Sequence, residues 1–195
     1  MPADRKDLAA RIAVATPHDT VRGVVFNAIF SVVREHADEA AARKVDSVSG
    51  KGSRTEFFTY PVADYLNLIF NAADLLEGRL GGVDPVYYKV GARAAELIAA
   101  SMLGKTLLAL AAGGGTRALM QHMPGGYRAT VSYGERTVTW LGERHARYVF
   151  TRDFLVPPFH AGVLAVGAIV GGGKNVKATG RQTGLLEAVY DVTWD

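Results

Sequence analysis

Between Pro157 and about Val170 the chain runs as an apolar helix, nearly free of charge, set inside a strand-rich block. That block, Gly126 to Asp195, reads as strand, strand, strand, helix, strand, strand. Tyr127, Ala129, Val131 and Tyr133 alternate with Arg128, Thr130 and Ser132, the two-residue period of a strand. Gly134-Glu135 is a tight turn, Arg136 to Leu141 its partner strand, and His145 to Thr151 a third. Gly171-Gly172-Gly173 ends the helix, and Val176 to Thr183 is the next strand. Ala188, Tyr190, Val192 and Trp194 form the inward side of the last one. The inner residues of such a sheet need a second wall, and the helices between Val21 and Met102 are the segments available to supply it.

Those helices follow from spacing. Val21, Val24, Val25, Ala28, Ile29, Val32 and Val33 recur at three- and four-residue steps, and Phe26 and Phe30 widen that face. Val62, Tyr65, Leu66, Ile69, Ala72, Ala73 and Leu76 repeat likewise after Pro61. Asp84-Pro85 opens a long helix to about Leu103, whose inner face carries Val90, Ala94, Leu97, Ile98, Ser101 and Met102. Gly91, Ala92, Ala95, Ala99, Ala100 and Gly104 make this helix thin, so a neighbour approaches closely or room is left beside it. Shorter helices are expected over Pro2 to Val14, Glu35 to Lys44 and Arg117 to His122, the last closed by Pro124-Gly125-Gly126. Ser47 to Ser53, with Gly50 and Gly52, is expected to be a mobile loop. The class is α+β: an N-terminal helical layer packed on a C-terminal antiparallel sheet of about five strands with one inserted helix. One domain is expected across residues 1–195, its helical half over about 1–125 and its sheet half over about 126–195.

Composition narrows the function classes. With no cysteine, disulfides, thiolate metal sites and a thiol nucleophile are excluded. A formal charge of +3, with 22 Lys and Arg scattered along the chain, leaves no basic run to track phosphates, so no nucleic-acid partner is expected. No apolar stretch is long enough to span a bilayer, and Met1 to Ala15 lacks the apolar core of a signal peptide. The expected location is the cytoplasm.

Motifs of known chemistry are incomplete. Gly104-Lys105-Thr106 resembles the end of a phosphate-binding loop, but Ala99 stands where the earlier glycine belongs and the segment reads as helix. Ser132 has no flanking glycines and no base. His18, His36, His122, His145 and His160 share no metal-binding helical spacing, so no metal site is expected. Asp153, Glu187 and Asp191 read as solvated edge or loop carboxylates beside Arg152 or Arg181. No catalytic residues are assigned, and enzymatic activity is not expected.

Four segments carry a resemblance: Tyr133-Gly134-Glu135-Arg136-Thr137-Val138, Arg152-Asp153-Phe154, Pro158-Phe159-His160-Ala161-Gly162-Val163-Leu164 and Gly180-Arg181-Gln182-Thr183-Gly184-Leu185. With Val21-Arg22-Gly23-Val24-Val25-Phe26 and Tyr60-Pro61-Val62-Ala63-Asp64-Tyr65, they make the chain resemble a family of proteins of similar length that occurs as many paralogues in myxobacteria. That family supplies no agreed catalytic or binding residues. More distantly, the element order and the glycine-containing helix resemble a superfamily of vinyl-reductase-type ligand-binding domains, haem nitric-oxide sensors and vesicle-tethering subunits. This likeness implies an apolar pocket between helices and sheet, and a homodimer. The Tyr-x-Ser-x-Arg signature of its haem members is absent, so no cofactor is expected and haem is disfavoured.

The expectation is a non-catalytic, cytoplasmic, regulatory or signalling module that binds a hydrophobic, lipid-like small molecule. It would act through a homodimer or a protein partner. The expected pocket comprises Phe26, Phe30, Tyr65, Ile69, Leu97, Ile98, Met102, Phe159 and Leu164, with His160 or Tyr133 as polar anchor. The alternative is a protein–protein interaction or dimerisation module with a filled core and no ligand.

Overall fold

The computed structural model describes residues 3–47, 54–110 and 113–195. Of the expected loop from Ser47 to Ser53, residues 48–53 lie outside the described residues. Asp4 caps helix α1 (Arg5–Ala13), its carboxylate accepting from the Lys6 and Asp7 amides. The chain continues through β1 (Thr20–Arg22), α2 (Gly23–His36), α3 (Glu39–Ser47), β2 (Thr59–Pro61), α4 (Val62–Leu80), α5 (Val83–Ala100), α6 (Met102–Leu110) and α7 (Gly115–Thr130). It ends with β3 (Glu135–Gly142), β4 (His145–Thr151), α8 (Pro157–Val170), β5 (Lys177–Gly184) and β6 (Glu187–Thr193).

The α+β class holds. The C-terminal sheet has four antiparallel strands in the order β3-β4-β6-β5, and β1 pairs with β2 in a separate two-stranded ribbon. Ala146, Tyr148 and Phe150 on β4, with Ala188, Tyr190 and Val192 on β6, alternate inward and are buried. Tyr148 stands opposite Tyr190 in the register.

Three segments differ from their sequence reading. Val21 lies in β1 and not in the helix that follows. The long helix expected to reach about Leu103 stops at Ala100 because Ser101 turns to extended backbone, so that Met102 opens α6 and is exposed. The third is the end of α7, which is helical. Tyr127 to Thr130 is the last turn of α7, not a strand. Tyr127 and Thr130, three residues apart, are both buried while Arg128 is exposed, which is a helical face. Pro124, Gly125 and Gly126 lie within the helix and do not end it. A short alternating run following a proline–glycine cluster mimics a turn and a strand, and tertiary packing overrides it.

Helix α8 packs on β5 and β6 on one side and on α5 on the other. A helix enclosed in this way needs no polar face, which explains why the segment carries almost no charge. Its contact with α5 depends on glycine from both partners. A Cβ on Gly91 would stand 1.9 Å from the Phe159 carbonyl oxygen, and one on Gly162 would stand 2.1 Å from that of Tyr88. The small residues that make α5 thin therefore let the α8 backbone come into contact with it.

Candidate functional site

Where the small residues of α5 outlast the contact with α8, a cavity opens. Its volume is about 110 Å³. Ala94, Ala95, Ile98 and Ala99 of α5 form one wall, and Gly104 and Leu108 of α6 cover it. Leu119, Met123, Gly126 and Tyr127 of α7 form a second wall. Phe159, His160, Val163, Val166, Gly167 and Val170 of α8 form the third. Gly167 matters locally, because a Cβ there would stand 3.0 Å from the Met123 sulfur. Cavities of about 150 Å³ with apolar walls stay dry and admit benzene or xenon, whereas pockets for drug-sized ligands begin near 300 Å³.

The expected pocket residues are distributed as follows. Ile98, Phe159 and His160 line the cavity. Phe26, Phe30, Tyr65, Ile69, Tyr133 and Leu164 are buried in the surrounding core, and Leu97 is partly buried against it. Met102 is exposed at 78%. The α7 wall has no counterpart in the sequence expectation, because the end of α7 reads there as a strand.

Behind the cavity lies a polar cluster. His160 is buried, with Nε2 2.9 Å from Asp153 Oδ1 and Nδ1 3.2 Å from the Tyr127 hydroxyl. A carboxylate only accepts, so Nε2 carries the proton toward Asp153. In the neutral ring Nδ1 then accepts from Tyr127. The second Asp153 oxygen takes Arg136 Nη2 at 2.6 Å, and the Leu155 amide donates to Oδ1 at 2.9 Å. Arg136 Nη1 donates to the carbonyls of Tyr133 and Gly134. Burial alone would raise the Asp153 carboxyl, but the His160 ring, Arg136 and the Leu155 N–H outweigh it and hold it well below the usual carboxylate range. Burial, reinforced by Asp153, pushes the Tyr127 phenol well above its ordinary value. Tyr127, His160 and Asp153 are ordered like nucleophile, base and orienting carboxylate. A phenol this hard to ionise is a hydrogen-bond donor instead of a nucleophile. Asp153 is thus a buried ion-pair partner of Arg136, unlike the solvated edge carboxylate its sequence position suggests. Asp191 does lie at the sheet surface, paired with Arg147 and His145.

The family described as protein of unknown function (DUF2378) matches residues 14–195. The chain belongs to that family. The family likeness read from the C-terminal motifs therefore holds. Among curated proteins no match is found. Solved structures share the fold at low identity. An H-NOX protein from S. oneidensis in the Fe(II)NO ligation state matches with a TM-score of 0.69 at 11% identity, covering 89% of this chain and 99% of that one. An unliganded Fe(II) H-NOX protein from K. algicida matches with a TM-score of 0.66 at 11% identity, covering 89% and 96%. A third, described by the modulation of haem redox potential through porphyrin distortion, matches with a TM-score of 0.62 at 9% identity, covering 89% and 99%. The distant likeness to haem nitric-oxide sensors thus holds at the level of fold.

These matches correct one expectation. The absence of one haem signature does not set haem aside for a chain with this fold, because structural neighbours are described with Fe(II) and haem. The apolar lining suits the faces of a porphyrin. Of the side-chain types that ligate haem iron, His160, Tyr127 and Met123 line the cavity. Both His160 nitrogens are committed, to Asp153 and Tyr127, so iron coordination at His160 does not fit this geometry. A ring of porphyrin size also exceeds the cavity. Among the described residues, no group of three or more His, Asp or Glu could hold a metal ion, and no helix is long and apolar enough to cross a membrane.

Proposed function

We propose that this protein is a ligand-binding sensor module whose ligand presents an apolar surface to the space between α5, α7 and α8 beneath α6. The observation that carries this reading is the cavity itself, walled by aliphatic side chains and glycines, with its polar residues already hydrogen-bonded to one another. An apolar ligand gains by leaving water and strands no polar group of the site. The shared fold supports a sensing role. A regulatory role in the cytoplasm, exerted through a protein partner or a second copy, belongs to the same proposal.

Native mass spectrometry of the full chain, purified from its own host, tests it. The expected result is a mass above that of the bare chain, with an extractable apolar molecule as the difference. A second arm titrates the purified chain with haemin and reads the Soret absorption, which separates a porphyrin from smaller apolar ligands. Bare protein together with no saturable haemin binding would overturn the proposal.

A further inference from the structure

Occupancy of the cavity needs a route to the surface if it is to be read by anything else. Tyr127 and His160 line the cavity, and His160 is tied to Asp153 at 2.9 Å. Asp153 holds Arg136, whose Nη1 donates to the carbonyls of Tyr133 and Gly134 in the connection between α7 and β3. Gly134 sits at φ 67°, and a Cβ there would stand 2.5 Å from the Thr151 carbonyl oxygen and 2.6 Å from that of Arg152. The two connections are therefore jammed together. Arg152, directly before Asp153, takes φ 51°, a left-handed conformation costly for an arginine. Its guanidinium forms a two-pronged pair with Asp19. Asp19 in turn accepts from the Thr16 amide and hydroxyl, and its carbonyl accepts from the Val62 amide.

We infer that the cavity is coupled to the half-exposed pair Arg152–Asp19 through Tyr127, His160, Asp153 and Arg136, with the strained Arg152–Asp153 step as the element that moves. This rests on the cavity reading above. A molecule pressing on the Tyr127 and His160 rings shifts the Asp153 carboxylate. Asp153 cannot shift without moving either Arg136 or the backbone of Arg152. Strain at Arg152 gives that backbone a second, less strained conformation to enter. The Arg152 side chain is 46% exposed, so a partner reaches it.

Benzene serves as the probe, with amide NMR spectra of the full chain as the readout. Expected are shifts at Ile98 and Val163 in the cavity wall together with shifts at Gly134, Arg152 and Asp19. In Asp153→Asn the wall shifts persist, while those at Gly134 and Arg152 shrink by about threefold or more, the scale of such couplings. Should that variant not fold, Arg152→Gly takes its place, since it removes the strain and the Asp19 pair without touching the cavity. It is expected to keep the Gly134 shift and lose the one at Asp19. Shifts confined to the wall, undiminished remote shifts in Asp153→Asn, or a retained Asp19 shift in Arg152→Gly would each overturn the coupling alone. No benzene shift anywhere in the folded wild type would overturn the cavity reading with it.

Discussion

Two regions on either side of His160 are built in opposite ways. On one side the cavity is walled almost entirely by carbon and is not filled. On the other, Asp153, Arg136 and their partners fill their space with charges and satisfy nearly all of them. Unfilled apolar volume is a modest loss that a ligand recovers. An unpaired buried charge is a large loss that nothing but its partner recovers. The apolar side therefore changes with occupancy, and the charged side, bonded together as one unit, passes that change on to the Arg152–Asp153 step.

Breaking the charged side should have the largest effect. Asp153→Ala strands Arg136 and uncouples His160, and should destabilise the fold by about 3–5 kcal/mol in urea denaturation. A loss below about 1 kcal/mol would show that the cluster does not bind the inserted helix to the sheet. Next comes the helix contact that frames both regions. Gly162→Ala drives a Cβ into the Tyr88 carbonyl and should cost about 3 kcal/mol, at the upper end of overpacking effects.

A smaller effect separates the Arg152–Asp19 pair from the Asp153 cluster by pH. The Arg152 guanidinium lowers the Asp19 carboxyl from 3.8 to about 2, against the opposing effect of burial. A carboxyl depressed in the folded state stabilises above its unfolded pKa, and that stability is lost as pH falls from 3.8 through about 2. Arg152→Ala should flatten the acid limb of a stability–pH curve across that window. An unchanged limb would remove the pair from the account. The smallest effect on stability is expected on the apolar side. Ala95→Leu grows into the cavity and should change stability by less than about 1.5 kcal/mol while removing the space for a ligand.

Sequence pattern carried the layers but not the cluster. The period of α2 and α4, the small residues of α5 and the charge-free run of α8 are each legible, and together they give the α+β class. The thinness of α5 even signals its close approach to another helix. Asp153 and Arg136 are 17 residues apart and meet only because β3 pairs with β4. No local period marks such a contact. The α7 wall is hidden for a different reason. Pro124-Gly125-Gly126 has the composition of a turn, and only packing against α8 shows Tyr127 to be helical. The absent Tyr-x-Ser-x-Arg motif argues against haem, whereas solved structures described with Fe(II)NO and with haem share this fold.

The central claim is that the space between α5, α7 and α8 admits and holds an apolar molecule. Saturable benzene binding, followed at the Val163 and Ile98 amides in wild type and in Ala95→Leu, tests it directly. The account predicts saturable binding by the wild type and a loss of about tenfold or more in the filled variant, equivalent to about 1.4 kcal/mol. Equal binding by both proteins would contradict it.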